Sequence, residues 1–241
     1  ARNLAGPNLM NFEKLEDFYQ VYDQHRTYVK AEIRKKHIRN YDDQYWRPAQ
    51  GSASHSVLEL GTGVGLFLAY LKAKGVNKFT GIDSDPKVKE YMPQEISENV
   101  IIGDIWTKIQ NFSEPFDRIV LLDVFEHFSF MEGQRLLVQL KDLLEPDGKI
   151  VLRAPNAASP FGLQYQYNDV THKAIYGPGN LQHVALAAGL QVEKFQSVRR
   201  GSYFKRFLEN IVLGFLDKVL TEPPPLWGAN MIAVLSSSSD N

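Results

Sequence analysis

The stretch Val57-Leu58-Glu59-Leu60-Gly61-Thr62-Gly63-Val64-Gly65 decides the fold of this chain. A short apolar run leads into alternating glycines, and a helical pattern starts at Leu66. Such a junction lets a ligand approach the backbone at the N-terminus of a helix. The dinucleotide fingerprint G-x-G-x-x-G is not met, because its sixth position is Leu66 counted from Gly61 and Leu68 counted from Gly63. A nicotinamide or flavin site is therefore disfavoured.

Short apolar runs alternate with helical stretches on the C-terminal side of this junction. Strands are predicted at 57–60, 78–82, 100–102, 116–122, 149–152, 190–198 and 230–235. Helices are predicted at 66–74, 86–92, 131–144 and 181–188, the second with Asp85 as N-cap and Pro86 as first residue, and the third ending in Glu145-Pro146-Asp147-Gly148. This alternation predicts an α/β fold, a seven-stranded, mostly parallel sheet with helices on both faces.

Residues 1–50 differ in composition, being rich in charge and tyrosine, and are predicted to form an N-terminal helical cap. Its spacing is compatible with helix from Phe12 to about Asn40, and Pro48 with segment 51–54 forms a linker. The predicted division is therefore a cap at 1–50 and a catalytic domain at 51–241, with a helical insertion at 200–228.

Length and composition limit the function classes. The 241 residues are 44% apolar, which suffices for a real core, and the formal charge of −1 gives no global field for nucleic acid or anionic lipid. The chain has no cysteine, which excludes disulfides, cysteine metal sites and a thiol nucleophile. No uncharged apolar run is long enough for a transmembrane span, and Ala1-Arg2-Asn3 does not start a signal peptide. We therefore expect a cytoplasmic protein.

Acidic residues follow the first four predicted strands: Glu59, Asp83, Asp104 and Asp123. In an open α/β sheet the carboxyl ends of the strands line one crevice. An acidic rim repels a pyrophosphate but holds a ligand that carries a ribose diol, a sulfonium and an ammonium group. The rim predicts S-adenosylmethionine as cofactor, and helix capping by these acids is the alternative.

The block from Val57 to about Leu190 resembles the class I S-adenosylmethionine-dependent methyltransferases. The elements that carry the resemblance are the glycine stretch, Gly81-Ile82-Asp83, Gly103-Asp104-Ile105, Phe116-Asp117-Arg118-Ile119-Val120, Asp123-Val124-Phe125-Glu126-His127 and Leu144-Glu145-Pro146-Asp147-Gly148-Lys149-Ile150. The resemblance implies a final antiparallel strand. It also implies cofactor contacts at Gly61, Thr62, Gly63 and Gly65 for the methionine part, Asp83 for the ribose, and Asp104 with Ile105 for the adenine.

Methyl transfer by in-line displacement needs alignment and, for a hydroxyl acceptor, a base. Histidine and carboxylate side chains are the candidates in a chain without cysteine. His127 follows the fourth strand, over the crevice, and is the first candidate base. Glu126 is expected to orient that imidazole or to contact the amino-acid end of the cofactor. A structural turn at these residues is the alternative.

Segment 156–180 is a long stretch with little predicted regular structure, which is typical of a binding loop. Its aromatic and polar side chains suit stacking on a sugar or aromatic ring, and packing of its own aromatics is the alternative. The candidate acceptor contacts are Tyr165, Tyr167, Asn168 and Asp169, with Phe161 and Tyr176 as further aromatics.

Within this region the chain is similar to bacterial methyltransferases encoded with O-antigen and capsule biosynthesis. The similarity is carried by Ala154-Pro155-Asn156, Asn168-Asp169-Val170-Thr171-His172-Lys173, Gly177-Pro178-Gly179-Asn180-Leu181 and Ala187-Ala188-Gly189-Leu190. It implies that His172 is a second candidate base or acceptor-orienting group. Ubiquinone-type O-methyltransferases share the Glu126-His127 element, so the acceptor is not fixed by it.

Two helices outside the sheet bear on partners. Tyr22, Arg26 and Lys30 share a face of the predicted N-terminal helix, so Tyr22 and Arg26 are candidates to close over the cofactor or hold an anionic acceptor, a solvated face being the alternative. Apolar residues from Phe204 to Leu220 predict an amphipathic helix in the insertion, with charges that exclude a span. We expect it to pack on the domain, with a homodimer interface or a peripheral membrane contact through 203–220 as alternatives.

The first functional hypothesis is an S-adenosylmethionine-dependent O-methyltransferase acting on a hydroxyl of a sugar or sugar-linked acceptor. The second is methylation of a phenolic, quinone-precursor or natural-product hydroxyl or amine. The third is a non-catalytic nucleoside-binding or scaffold protein. A metal-assisted variant through Asp123 and Glu126 lacks a third clear ligand, so no metal is expected.

Overall fold

A computed structural model describes Glu13, Leu15, Asp17, Phe18 and residues 27–199 and 201–237. In this part of the chain seven strands form one sheet in the order β3-β2-β1-β4-β5-β7-β6. The strands are β1 Ser56–Leu60, β2 Lys78–Asp83, β3 Val100–Ile102, β4 Phe116–Leu122, β5 Leu144–Pro155, β6 Leu190–Ser197 and β7 Asn230–Ser237. Strand β7 runs antiparallel to both neighbours, β5 and β6, and the other pairs are parallel. The predicted fold is confirmed: it is a Rossmann-like, mostly parallel seven-stranded sheet with a final antiparallel strand.

Helices flank the sheet and carry the crossovers. The α-helices are α1 Lys35–Tyr41, α2 Leu66–Ala73, α3 Gln94–Ser97, α4 Ile105–Lys108, α5 Phe130–Asp142, α6 Leu163–Gln166, α7 Pro178–Ala187 and α8 Tyr203–Val219. Short 3₁₀ helices cover Pro86–Tyr91, Ile109–Asn111 and Phe125–His127, and a π-helical turn covers Asp42–Trp46. Helix α5 starts with a capping box, in which the Ser129 hydroxyl accepts from the Glu132 N–H and the Glu132 carboxylate accepts from the Ser129 N–H.

The central strands are buried on both sides, so they divide their side chains between two cores. In β1, Leu58 and Leu60 belong to the core under α5 and α7, whereas Val57 belongs to the core under α2. Alternate residues of a strand point to opposite faces, which explains this division. The two cores fix the central strands rigidly and thereby position the loops at their carboxyl ends.

The N-terminal region is less helical than its spacing predicts. Residues 27–34 form no helix, so the predicted helix is wrong there. This segment is held by tertiary hydrogen bonds instead: the Ala31 N–H donates to the Tyr91 carbonyl at 2.9 Å, and the Tyr28 hydroxyl donates to Asp85 Oδ2 at 2.7 Å. Tyr45 is buried in the core under α2. The division at residue 50 stays a prediction.

Two predicted elements differ from the observed ones, one in its bounds and one in its helix type. The residues Glu145-Pro146-Asp147-Gly148 do not lie at a helix end, because β5 already begins at Leu144, which pairs with Phe116 of β4 before an irregularity in register. The predicted helix at 86–92 is a 3₁₀ helix over Pro86–Tyr91. Its N-cap was predicted correctly, since Asp85 Oδ1 accepts from the Lys87 N–H at 2.9 Å.

The insertion between β6 and β7 contains the predicted helix, α8, but the expected packing of its apolar face is wrong. None of its residues is buried. Arg206, Asn210 and Asp217 make its hydrogen bonds to residues outside the helix, so its polar side is the one turned toward the domain. No helix in the described residues has the length and apolar character needed to cross a membrane.

Candidate active site

A cavity of about 1090 Å³ opens at the carboxyl ends of β1, β2 and β4. It brings together most of the predicted cofactor residues: Glu59, Gly61, Thr62, Gly63, Asp83, Asp104, Ile105 and Asp123, together with His127. Other predicted residues do not line it: Gly65, Glu126, Tyr165, Tyr167, Asn168, Asp169 and His172. Tyr22 and Arg26 lie outside the described residues.

The glycine loop needs glycine for two different reasons. Gly61 has a φ of 74°, and a Cβ there would lie 2.3 Å from Val124 Cγ2, so a side chain would be both strained and blocked. Gly63 has a φ of 50°, but a Cβ there would meet nothing within 4 Å. The space beside Gly63 therefore belongs to the cavity, and a ligand can approach the backbone there.

Asp83 is tied to this loop through both carboxylate oxygens. Oδ2 accepts from the Gly63 N–H at 2.7 Å, and Oδ1 accepts from the Asp85 N–H at 2.9 Å. The carboxylate is thereby fixed at the cavity wall at the end of β2. Asp104 is both a cap and a lining residue, since its Oδ1 accepts from the Thr107 N–H at 3.2 Å at the start of α4.

Glu59 is a buried carboxyl on the cavity wall, and its Oε2 has no hydrogen-bond partner among the described residues. Burial raises the pKa of Glu59 well above its usual range, and the nearby Asp83 raises it further, while Arg153 acts in the opposite direction. A buried carboxyl without a partner is costly unless a ligand pairs with it. The cavity is therefore suited to a cationic group at Glu59.

Arg153, at the carboxyl end of β5, is a cavity residue that the sequence reasoning missed. Its guanidinium donates to both carboxylate oxygens of Asp123, Nε to Oδ1 at 2.8 Å and Nη2 to Oδ2 at 2.6 Å, and Nη1 donates to Gln44 Oε1 at 2.7 Å. Asp123 has a φ of 59°, which is uncommon for a residue other than glycine. An arginine inside the apolar run 150–154 was the available signal.

His127 is held at the cavity by a short chain of hydrogen bonds. Its Nδ1 lies 3.0 Å from Thr171 Oγ1 and 3.3 Å from the Thr171 carbonyl oxygen, and the Thr171 hydroxyl donates to Asp169 Oδ1 at 2.5 Å. A carbonyl oxygen only accepts, so Nδ1 is the donor and carries the proton. In the neutral imidazole the lone pair is then on Nε2, the nitrogen that a base needs.

His172 and Glu126 lie next to His127 but away from the cavity lining. The two imidazole rings are 4.8 Å apart between centroids. His172 donates from Nδ1 to the Gln166 carbonyl at 3.0 Å, and its Nε2 is 4.0 Å from Glu126 Oε1. Burial raises the pKa of the Glu126 carboxyl well above its usual range, with Asp123 adding to the effect. Glu126 therefore faces His172, and its predicted role in orienting His127 stays a prediction.

The acceptor segment is more tightly packed than its composition suggests. It contains the short helix α6 and the first turn of α7, and Tyr176 is buried in the core against Phe125 rather than available for stacking. Tyr165 and Tyr167 are exposed outside the cavity. Within the described part of the chain, no cluster of three or more histidine and carboxylate side chains could hold a metal ion.

The aromatic wall of the cavity comes from other elements. Trp106 and Phe128 line it in an edge-to-face pair with ring centroids 5.6 Å apart. Lys173 also lines it, with its ammonium 3.2 Å from Glu132 Oε1. None of these three residues was among the predicted site residues, because none lies in the strand-end motifs. The cavity thus combines an acidic rim, an imidazole and an aromatic surface.

Comparisons with known proteins agree with this geometry. A family model described as a methyltransferase domain matches residues 25–194. The chain is 31% identical over 111 residues to (S)-coclaurine N-methyltransferase of Thalictrum flavum subsp. glaucum, which covers 43% of this chain and 30% of that protein. It is 24% identical over 136 residues to an uncharacterized methyltransferase of Oceanobacillus iheyensis, covering 56% of this chain and 62% of that protein. The matches thus span less than two thirds of either relative.

Solved structures share the fold. A SAM-dependent methyltransferase from Archaeoglobus fulgidus superposes with a TM-score of 0.62 at 19% identity, covering 91% of this chain and 99% of the other. An O-methyltransferase from neocarzinostatin biosynthesis, in complex with S-adenosyl-L-homocysteine and 1,4-dihydroxy-2-naphthoic acid, superposes with a TM-score of 0.55 at 14% identity, covering 83% and 56%. Because the family model extends over most of the chain and includes the whole glycine loop and its acidic rim, this chain belongs to the methyltransferase domain family.

Proposed function

We propose that this chain methylates a hydroxyl of a sugar or sugar-linked acceptor, with His127 as the general base. The observation that carries the proposal is the hydrogen-bond chain Asp169–Thr171–His127 at the cavity wall. It fixes the tautomer in which Nδ1 carries the proton and Nε2 carries the lone pair that a base needs. The second candidate base, His172, lies off the cavity lining, with its ring centroid 4.8 Å from that of His127. We therefore assign it a supporting role beside His127 rather than the role of base.

S-adenosylmethionine is the proposed cofactor, and when bound it supplies an electrophilic methyl group on a sulfonium. Glu59 is proposed to hold its ammonium group and Gly61, Thr62 and Gly63 its methionine part, with Gly65 as the N-cap of the helix behind them. Asp83 is proposed to accept from the ribose hydroxyls, and Asp104 with Ile105 to hold the adenine. The support is that all of these except Gly65 line one cavity. Asp123 contributes through its ion pair with Arg153 at the same wall.

The imidazole favours a hydroxyl over an amine as acceptor. A hydroxyl becomes a good nucleophile only as its proton leaves, and a positioned base accelerates that step. An uncharged amine already has a lone pair and does not need a base before attack. A histidine whose tautomer is fixed by Thr171 therefore assists the methylation of a hydroxyl, which must lose a proton, more than that of an uncharged amine.

The sugar class rests on the acceptor segment. Its elements 154–156, 168–173 and 177–181 are similar to those of O-antigen and capsule methyltransferases, and Asp169 and Thr171 of that segment form the support of His127. The paired side chains Glu132 and Lys173 add hydrogen-bonding groups to the wall. Tyr165, Tyr167 and Asn168 remain candidates for the more distant part of a large acceptor.

The second candidate is a phenolic, quinone-precursor or natural-product acceptor. The edge-to-face pair of Trp106 and Phe128 favours it, because such a surface suits a planar ring. A relative in sequence is named (S)-coclaurine N-methyltransferase, and an O-methyltransferase of the same fold was solved with 1,4-dihydroxy-2-naphthoic acid.

Transfer of a labelled methyl group to a panel of acceptors separates these functions. Nucleotide sugars and oligosaccharides represent the first, and dihydroxynaphthoic acids, catechols and benzylic amines the second. We expect product with the saccharide acceptors and a rate that rises with pH as His127 loses its proton. Product only with the phenols would select the second candidate. Cofactor binding without product from any acceptor would favour a non-catalytic protein.

Replacing Glu59 with glutamine is expected to change two pH dependences. The raised pKa of Glu59 means that its folded-state pKa lies above the unfolded one, so the stabilisation it gives is present at low pH and lost as pH rises through the folded pKa. The glutamine variant should therefore gain stability over wild type with rising pH. Wild-type cofactor binding should release a proton and strengthen with pH, and the variant's should do neither. Thermal unfolding and calorimetry in two buffers measure both; equal proton release in the two proteins would contradict the role of Glu59.

A further inference from the structure

Helix α8 has its polar side turned inward and its apolar side turned outward. On the inner side, Arg206 Nη1 lies 3.3 Å from Asp43 Oδ2, Asn210 Oδ1 accepts from Arg199 Nη1 at 2.7 Å, and Asp217 Oδ1 accepts from Trp227 Nε1 at 2.7 Å. These bonds fix the rotation of the helix. The orientation is therefore set by polar contacts at both ends and is the reverse of a helix that packs on a core.

The outer side of α8 and the residue after it form a large apolar surface. Its members are Tyr203, Phe204, Phe207, Leu208, Ile211, Val212, Phe215, Val219 and Leu220. Their exposed fractions run from 43% for Leu220 to 75% for Tyr203. With each side chain exposing on the order of 100 Å², the surface amounts to roughly 1,000 Å², above the roughly 300–600 Å² of the largest apolar patch on a typical monomer. An apolar surface of this size indicates that another molecule covers it.

The basic residues around this surface indicate which occupant. At about 100° per residue, Lys218 falls within the apolar arc of α8 and Lys205 at its edge, and both are exposed. The acidic Glu209 and Asp217 fall on the other arc. Helix α1 neighbours α8, since the Arg39 guanidinium lies 5.6 Å from the centroid of the Tyr203 ring, and α1 contains exposed Lys35 and Lys36 and no acid. Apolar side chains among lysines match the interface of a membrane that contains anionic lipid.

A second copy of the chain fits this surface less well. A two-fold antiparallel pairing centred on Ile211 and Val212 would place Lys205 of one copy opposite Lys218 of the other, at both ends of the contact. Like charges in such positions weaken an interface, whereas anionic head groups pair with both lysines. The charges therefore favour a lipid surface over self-association.

The position of α8 in the fold puts its apolar surface near the edge of the sheet that carries the active-site cavity. Strand β6 ends at Ser197 at the carboxyl edge of the sheet, and β7 begins at Asn230, opposite Pro155 at the end of β5. Helix α8 thus leaves and rejoins the sheet at the edge that carries the cavity. Its C-terminal end adjoins the acceptor segment, since Trp227, which holds Asp217, also contacts Phe161.

We propose that the outer face of α8 docks this protein on an anionic membrane surface, lying in the interface without spanning it. The proposal rests on α8 and its surroundings and not on the identity of the acceptor. It gives the apolar face an apolar medium, gives the lysines their counter-charges, and brings the cavity edge of the sheet toward the lipid.

Co-sedimentation of the full chain with vesicles tests the proposal. We expect binding to vesicles of phosphatidylcholine with phosphatidylglycerol, and weaker binding to phosphatidylcholine alone. The double variant Phe207→Glu/Phe215→Glu should bind at least about 100-fold more weakly to both. The double variant Lys205→Gln/Lys218→Gln should lose on the order of 20-fold on the anionic vesicles only. Met131→Glu/Leu186→Glu, at exposed apolar positions of α5 and α7, is the matched control and should bind like wild type.

Folding and cofactor binding are read in parallel. All three variants should unfold at the wild-type temperature and bind S-adenosylmethionine with wild-type affinity, so that failure of docking is distinct from failure of the methyltransferase site. Absence of binding to either vesicle would overturn the proposal. A dimer in lipid-free buffer that Phe207→Glu/Phe215→Glu disrupts, without vesicle binding, would replace the membrane with a second copy.

Discussion

Replacing His127 with alanine is expected to lower kcat by a factor of about 10² to 10⁴, the range that a positioned general base contributes. The affinity for S-adenosylmethionine should stay near wild type, because the proposed cofactor contacts lie on other residues. The wild-type kcat/KM should rise with pH through the ionisation of His127, since only the neutral imidazole accepts a proton, and this rise should be absent in the variant. Steady-state kinetics across pH with the identified acceptor measures both.

Two further variants sharpen this test. Thr171→Val removes the hydroxyl that links Asp169 to His127 and leaves the imidazole in place. We expect a smaller loss of kcat, of about tenfold, for this positioning residue, with the pH profile shifted rather than abolished. His172→Ala should have a similarly small effect. A His127→Ala enzyme with unchanged kcat and pH profile would remove the base role and favour an amine acceptor.

Replacing Asp83 with alanine should weaken S-adenosylmethionine binding by a factor of about 10² to 10³, the value of two charge-assisted hydrogen bonds. The loss has a second origin in the loop, because Gly63 N–H loses its acceptor at 2.7 Å. Cofactor at about 100 times its Kd should stabilise the wild-type fold by about 2.7 kcal/mol, and this stabilisation should vanish in the variant. Thermal unfolding with and without cofactor, and calorimetry, are the measurements.

Asp142→Ala is the matched control for Asp83, since it removes an exposed carboxylate at the end of α5 without changing the cavity. It should retain the full thermal shift. Equal shifts in the Asp83 and Asp142 variants would mean that Asp83 holds no ribose and that the acidic rim serves only to cap and solvate the loop ends.

Much of the fold was predictable because the spacing of apolar residues and the turn or cap residues that bound each element indicate the same structure. The strands β1 to β4 follow apolar runs that turns bound on both sides, and Asp85-Pro86 marks a helix start. The errors occur where a tertiary contact decides. Residues 27–34 have helical spacing, but Ala31 pairs with Tyr91 instead. Leu144 continues a helical pattern, but its backbone pairs with Phe116.

The residues of the site also fall into two groups, those that the sequence predicts and those that it does not. Residues at strand ends, such as Glu59, Asp83 and Asp104, converge on one edge because topology alone brings them together. Side chains from irregular segments do not obey that rule. Thr171 meets His127 only through the folded path of the acceptor segment, and Gln44 meets Arg153 across a long sequence separation. No pattern in the sequence encodes such contacts.

The place of β7 between β5 and β6 has a consequence for how the molecule is made. Ribosomes deliver β5 and β6 well before β7, so in a nascent chain that has folded up to Ser197 one edge of β5 is unpaired and β6 has no strand partner, which leaves their N–H and C=O groups free. Such edges invite pairing with other chains. Synthesis interrupted before Asn230 therefore yields an aggregation-prone fragment, and closure of the sheet waits for residues translated after the whole of α8.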